Sequence, residues 1–147
     1  MSTIWKIEPE KLTLELLNQR GKNTMVEYLG IEISEIGDDY LQARMPVDHR
    51  TRQPLGILHG GASCVLAETV GSTAANIAVN LKTHYCVGLS IYTSHIRSAR
   101  EGWLTGTAKP LHLGRSTHIW NIAISNEAGQ LISDTRLTMA VLDAKER

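Results

Sequence analysis

Apolar residues in the first third of the chain predict two short helices and a hairpin. Two apolar clusters separated by Gly21 predict two helical pieces within residues 10–28. Residues 31–36 and 40–47 then alternate between apolar and polar side chains around the turn Gly37-Asp38-Asp39. This alternation is typical of a β-hairpin, because successive side chains of a strand point to opposite faces.

A long helix is predicted in the middle of the chain, from about Gly60 to Val79, after a polar loop over residues 48–58. Half of the helix consists of Gly, Ala and Ser, so its backbone can approach a packed surface closely on several sides. A helix of this length spans about 30 Å, which is enough to cross a curved sheet from end to end.

The remainder of the chain predicts four strands in succession, separated by short turns: Tyr85–Ser98, Trp103–Leu113, Ser116–Ser125 and Gln130–Leu142. Consecutive strands with short turns favour an antiparallel meander. Together with the hairpin they give about six strands and one long helix, an α+β architecture in which the simplest packing wraps the sheet around the helix. We expect residues 1–147 to form a single domain.

The composition narrows the choice of partner and compartment. Lys and Arg number 15, and Asp and Glu also number 15, so no net charge attracts nucleic acid. The two cysteines, Cys64 and Cys86, have neither disulfide-framework nor zinc-site spacing, and the first residues lack the apolar core of a secretory signal. We therefore expect a cytoplasmic protein with free thiols. The six histidines also lack tight metal spacing, so we predict no metal site.

One stretch could be mistaken for a membrane span. Residues 62–79 carry a single charge and are long enough to cross a bilayer. Glu68, Asn76 and the Ser and Thr residues of this stretch make it too polar for a lipid-facing helix, and no basic flank anchors it. A helix buried inside a protein is the better interpretation, and we expect no membrane partner.

Candidate chemistry is concentrated at the start of the long helix. Gly60 and Gly61 weaken a helix, which is tolerated where the backbone must approach another group closely. Their amides lie at the positive end of the helix dipole and suit a carbonyl oxygen that becomes negative during acyl transfer. The alternative is a junction that needs glycine only for its geometry.

Glu68 is the only charged residue between His59 and Lys82. Its small and apolar neighbours would raise its pKa towards the range of a general base. The alternative is a Glu that reaches solvent or a buried cation, although no basic residue lies at helical spacing. Ser72, one turn later, either orients a water or the carboxylate, or only packs the helix.

Two groups of polar residues flank this helix in the sequence. Gln53 and His59 precede it and could each donate a hydrogen bond to a carbonyl, or be ordinary loop residues. No Gly-x-Ser-x-Gly elbow supports a serine nucleophile. His95 and Arg97 alternate with Ile96 at a strand end, where they either hold a phosphate or form a solvated surface.

These motifs resemble those of hotdog-fold thioesterases of the phenylacetate-type and 4-hydroxybenzoyl-CoA thioesterase family. The segment from Leu58 to Glu68 and the Arg-Gln-Pro loop before it are the most specific match, and the resemblance extends from about Met25 to Leu142. It is strongest for the branch that contains 1,4-dihydroxy-2-naphthoyl-CoA hydrolases and enterobactin-pathway proofreading thioesterases. The resemblance implies a hotdog fold, homodimers whose sheets join edge to edge, and pairing of dimers into a homotetramer.

The resemblance also implies an acyl-CoA thioesterase whose active site lies between subunits. Glu68 of one chain would attack the thioester carbonyl or activate water. Gln53 and His59 of the other chain, together with the amides of Gly60 and Gly61, would polarise that carbonyl.

The remaining site residues have supporting roles in the same resemblance. Ser72 would assist the carboxylate or the water, while His95 and Arg97 would contact the coenzyme A nucleotide, with Arg100 a further candidate. An aromatic acyl group is implied, and an acyl carrier protein could replace coenzyme A. Thioester hydrolysis needs only a placed base and oxyanion donors, so we expect no cofactor.

Two alternatives use the same site differently. A hotdog-fold dehydratase or hydratase would bind an acyl thioester but move a proton next to its carbonyl. A non-catalytic module would bind acyl-CoA without turnover. Both remain open from the residues alone.

Overall fold

The computed structural model describes residues 2–146, which contain a six-stranded antiparallel sheet and one long helix. The helices are α1 (Leu14–Gln19), α2 (Met25–Tyr28) and α3 (Gly60–Ile77), and single 3-10 turns lie at Pro9–Lys11 and Ala144–Glu146. The strands are β1 (Glu32–Ile36), β2 (Leu41–Pro46), β3 (His84–His95), β4 (Trp103–Leu113), β5 (Thr117–Ser125) and β6 (Leu131–Asp143). No helix among residues 2–146 is long and apolar enough to cross a membrane.

The sheet wraps around α3, as the small residues of that helix predict. Leu66 and Val70 of α3 are fully buried, as are inward-facing side chains of the sheet such as Trp120 of β5. Glycine permits the close approach: a Cβ at Gly71 would lie 2.6 Å from Cδ2 of Leu137 on β6. Burying each large apolar side chain contributes about 1.5–3 kcal/mol, so this contact between helix and sheet is the main source of stability.

The two short helices form where the sequence predicts them and are fixed to the hairpin. Thr13 caps α1 by accepting a 3.2 Å hydrogen bond from the amide of Leu16. The side-chain amide of Asn18 donates to the carbonyl of Ile33 (3.0 Å) and its oxygen accepts from the amide of Ile33 (2.7 Å). These paired bonds attach α1 to β1 and leave a space between α1 and α3.

The predicted four-strand meander is wrong in one pairing, because β3 and β4 are not neighbours in the sheet. The strand order is β1-β2-β4-β5-β6-β3, so β4, β5 and β6 form a meander while β3 pairs with β6 at the far edge. The connection over residues 96–102 does not form a hairpin between β3 and β4. It runs instead along the loop before α3. The amide of Leu58 donates to the carbonyl of Ala99 (2.7 Å), and the amide of Val47 donates to that of Gly102 (2.8 Å). These bonds carry the chain past the start of α3 to the other side of the sheet.

This order makes β3 an edge strand with an apolar exposed surface. Four of its large apolar side chains are exposed: Val87 (40%), Leu89 (63%), Ile91 (38%) and Tyr92 (73%). A long apolar edge is a template for pairing with another chain, and proteins usually cover it.

Candidate active site

His59 caps the start of α3 and orients its own ring in doing so. Its Nδ1 accepts a 2.8 Å hydrogen bond from the amide of Gly61. In a neutral ring the proton therefore lies on Nε2, which faces outward as a donor. The expectation that both glycine amides are free is wrong for Gly61, because His59 uses its amide. The amide of Gly60 has no hydrogen-bond partner among residues 2–146.

Gln53 lies in the loop before α3 and keeps one end of its side chain available. Its amide oxygen accepts a short hydrogen bond from the backbone of Leu55, and its backbone amide donates to the carbonyl of Ile57 (2.8 Å). The loop therefore uses the acceptor of the side chain, and the NH₂ group remains as a donor.

His95 and Arg97 line one cavity of about 290 Å³ beside the start of α3, together with Gly60. A Cβ at Gly60 would lie 2.9 Å from Cε1 and Nε2 of His95, so glycine is needed for this contact. His95 is the last residue of β3, and Arg97 lies beyond the strand, so the predicted strand to Ser98 is too long. Arg100 does not line the cavity; its carbonyl accepts a 3.0 Å hydrogen bond from Nε of Arg52.

Glu68 lies further along α3 in the wall of a second cavity, of about 250 Å³. The side chains around it are mainly apolar, namely Met25, Cys64, Val65, Thr69 and Ile91. Its carboxylate makes no hydrogen bond or ion pair within residues 2–146. Removal from water raises the pKa of Glu68 above its ordinary value of 4.5. The carboxylate is therefore half-buried, unpaired and open to a cavity.

Gly88 of β3 is a site residue that sequence reasoning missed. A Cβ at this position would lie 2.5 Å from Oε1 of Glu68, so glycine leaves the space in which the carboxylate rests against the strand. The pairing of β3 with β6 shifts register between Gly88 and Ser90. An isolated glycine inside a strand pattern is a known signal of such a close approach.

Ser72 lines a third cavity, of about 250 Å³, between α3 and the two short helices. It lies one turn after Glu68 as predicted, but the two side chains line different cavities, which meet at Thr69. The hydroxyl of Ser72 has no hydrogen-bond partner in the described part of the chain. Ser72 is thus placed to contact a molecule that extends from Glu68 past Thr69.

The predicted acyl-transfer residues do not meet within one chain. His59 and Glu68 lie on the same helix about 13 Å apart along its axis, at roughly 1.5 Å per residue. A single carbonyl cannot contact both. The donors predicted at the helix start and the carboxylate of Glu68 therefore lie at separate places in the described chain. Within residues 2–146, no group of three His, Cys, Asp or Glu residues is arranged to hold a metal ion.

Residues 55–133 match the family described as the thioesterase superfamily, which is more than half of the chain. The chain belongs to the thioesterase superfamily. The matched segment contains the start of α3, Glu68, Gly88 and the cavity of His95 and Arg97.

Three proteins similar to this thioesterase are named as hydrolases of thioesters or as thioesterases. The 1,4-dihydroxy-2-naphthoyl-CoA hydrolase of Escherichia coli is 51% identical over 139 residues, covering 95% of this chain and 99% of the relative. The proofreading thioesterase EntH of Cronobacter turicensis is 47% identical over 140 residues, covering 95% of this chain and 98% of the relative. The crystal structure of a Haemophilus influenzae thioesterase has a TM-score of 0.92 at 45% identity, with 96% of each chain covered. The predicted hotdog fold and the predicted thioester hydrolase are confirmed.

Replacing Gly88 by Ala is expected to lower thioester hydrolysis by this thioesterase about ten- to a hundredfold, because the methyl group would displace the carboxylate of Glu68. The effect should appear in kcat more than in KM. Ser116→Ala, at an exposed position in the turn before β5 and outside the cavity of Glu68, is the control and should stay close to wild type. Unchanged kcat in Gly88→Ala would mean that the position of the carboxylate against β3 is irrelevant to turnover.

Proposed function

We propose that this thioesterase hydrolyses an aromatic acyl-CoA, with Glu68 as the general base or nucleophile. One observation carries the proposal: a carboxylate without a partner in the described residues lies in an apolar cavity, and its pKa is raised. A structural Glu would gain stability from a cation or from full solvation, and Glu68 has neither. A raised pKa makes it a stronger base at neutral pH, which is the property that activating a water requires.

The donors at the start of α3 are proposed to stabilise the oxyanion. Nε2–H of His59 and the free amide of Gly60 lie at the positive end of an 18-residue helix, and the NH₂ group of Gln53 in the preceding loop is the third proposed donor. In acyl transfer the carbonyl oxygen gains negative charge, and removing one such donor costs about 2.7–4 kcal/mol in the transition state.

The edge strand β3 supports a site shared between two chains. If two copies of β3 pair antiparallel about a point between Ile91 and Tyr92, Gly88 of one chain lies opposite His95 of the other. Glu68 lies against Gly88, and Gly60 lies against His95. This register would therefore bring the carboxylate of one chain beside the oxyanion donors of the other, and it would cover the exposed apolar edge. Pairing of such dimers into a tetramer is part of the same proposal and rests on the family resemblance alone.

The acyl group is proposed to occupy the cavity between α1 and α3, which adjoins that of Glu68 at Thr69. Its walls combine apolar side chains, such as Val26 and Ile33, with the hydroxyl of Ser72. Such a mixed lining suits a flat ring that carries polar substituents. The name of the Escherichia coli relative, a hydrolase of a dihydroxynaphthoyl thioester, supports the same class of substrate.

Coenzyme A is the proposed thiol carrier, and an acyl carrier protein is the second candidate. The cavity of His95 and Arg97 offers a guanidinium and an imidazole to a phosphate, while Arg100 lies outside it and could contact only a more extended nucleotide. We place the protein in the cytoplasm, where acyl-CoA is made, and its two unpaired cysteines agree with a reducing compartment.

Hydrolysis of benzoyl-CoA tests the proposed function. Purified protein should release free coenzyme A, detected with a thiol reagent, together with benzoate in equal amount. A hotdog dehydratase or hydratase would instead interconvert crotonyl-CoA and 3-hydroxybutyryl-CoA without releasing thiol. Binding of acyl-CoA with no turnover at any pH would indicate a non-catalytic module and contradict the proposal.

The pH dependence of hydrolysis should follow the raised pKa of Glu68. Only the ionised carboxylate can accept a proton or attack, so kcat/KM should rise with pH as Glu68 loses its proton. The midpoint of this limb should lie above 4.5, the ordinary value, because burial disfavours the charged form. The measurement is kcat/KM between pH 4 and 8. A midpoint at or below pH 4.5 would contradict the proposed role of Glu68.

A further inference from the structure

Three cavities form a row that follows α3 and continues past its C-terminal end, and their charge changes from one end to the other. The cavity of Glu68 shares Thr69 with the cavity of Ser72, called the middle cavity below, and the middle cavity shares Arg20 with a fourth cavity. This fourth cavity, of about 410 Å³, is lined by four cationic side chains and one carboxylate, Glu8. The row therefore begins at an anion and ends at a group of cations, in a chain whose net charge is zero.

The middle cavity offers few free polar groups to a ligand. Both ends of the Asn18 side chain bond the backbone of β1, and Asn76 bonds the backbone at Cys86 through its oxygen (2.8 Å) and its nitrogen (3.1 Å). The hydroxyls of Thr69 and Ser72 remain free within the described residues, and the other walls are largely apolar. This lining suits the body of a ring system rather than a charged group.

Arg20 is the cation that borders the middle cavity, and its guanidinium has no partner among residues 2–146. The carboxylate of Glu8 is shared by Lys11 (2.7 Å) and Lys82 (3.5 Å), and no carboxylate of the described chain pairs with Arg20. A free guanidinium beside an apolar cavity can bind a carboxylate through two parallel hydrogen bonds.

We infer that Arg20 selects acyl groups that carry an acidic group at the end distant from the thioester. This inference rests on the proposed function, in which Glu68 acts on the carbonyl and the acyl body enters the middle cavity. From Glu68 to Asn76 the helix rises about 12 Å, which leaves room for more than one ring between the reacting carbonyl and Arg20. The substrate class is a cyclic acyl-CoA with a second acid group.

The test compares 6-carboxy-2-naphthoyl-CoA with 2-naphthoyl-CoA. Wild-type protein should have the higher kcat/KM for the carboxylated thioester. Arg20→Leu should lower kcat/KM for that substrate at least about tenfold, mainly through KM, because a charge-assisted pair is lost. The same variant should change hydrolysis of 2-naphthoyl-CoA less than about threefold, since the uncharged ring makes no such pair. Lys22→Leu removes the same charge two residues away, outside the cavities, and should leave both substrates unaffected.

A second variant tests the location of the acyl group. Val26→Phe fills the middle cavity from α2 and should lower hydrolysis of both naphthoyl thioesters far more than that of benzoyl-CoA, whose single ring needs less of the cavity. An Arg20→Leu variant that affects both naphthoyl substrates equally or neither of them, or full activity on them in Val26→Phe, would overturn the inference and leave benzoyl-CoA hydrolysis standing. Absence of thiol release from every thioester in wild type would instead overturn the proposed function itself.

Discussion

Replacement of Glu68 by Gln is expected to lower kcat for thioester hydrolysis at least about 100-fold, the lower end of what a positioned general base contributes. Gln has the same shape and can occupy the same space against Gly88, but it can neither accept a proton nor attack a carbonyl. Removing a carboxylate whose pKa is raised by burial also relieves an unfavourable desolvation, so the variant should fold at least as well as wild type. A large loss of turnover with an unchanged unfolding transition would therefore identify a chemical role.

Glu15→Gln is the matched control, because Glu15 is an exposed residue of α1 that lines none of the three cavities along α3. It should retain wild-type kcat and KM. Binding of a non-hydrolysable acyl-CoA thioether, measured by calorimetry, should persist in Glu68→Gln, because the carboxylate acts on the carbonyl and not on the nucleotide. A Glu68→Gln enzyme with more than about a tenth of wild-type kcat would exclude Glu68 as the base or nucleophile.

The sequence was sufficient to predict the long helix and the six strands, and to single out Glu68 as a candidate for chemistry. Glu68 could be recognised because a single charge within a long run of small and apolar residues is costly unless it is used. The order of the strands could not be predicted in full. Turn residues indicate where one strand ends and the next begins, but they do not show that β3 pairs with β6 instead of β4. The position of β3 depends on the bonds that residues 96–102 make with the loop before α3, and these join residues far apart in the sequence.

The arrangement of the site depends on the same long-range contacts. Gly88 became relevant only when the sheet placed it against Glu68, and Gly60 only when His95 lay beside it. Spacing along the helix already separates His59 from Glu68 by about 13 Å, so the proposed shared site needs a second chain, which the sequence indicates only through the family resemblance. Cavities are the least predictable feature, because their walls come from three or more separate segments of the chain.

Co-expression of two inactive variants should restore activity if the site is shared between chains. Glu68→Gln lacks the base, and His59→Ala lacks a proposed oxyanion donor, whose removal costs about 10²–10³ in kcat. In a mixed dimer one site loses both groups and the other keeps both, so random pairing should give about a quarter of wild-type activity per chain. The pair Glu68→Gln with Glu68→Ala is the control and should restore nothing.

Two affinity tags would allow mixed dimers to be isolated, and these should reach about half of wild-type activity. Mixed dimers no more active than their parents would mean that base and donors act from one chain. His59 and Glu68 lie about 13 Å apart along α3, so a site within one chain would require a different arrangement of this helix. Such a result would contradict the proposal that Glu68 and His59 act on the same carbonyl.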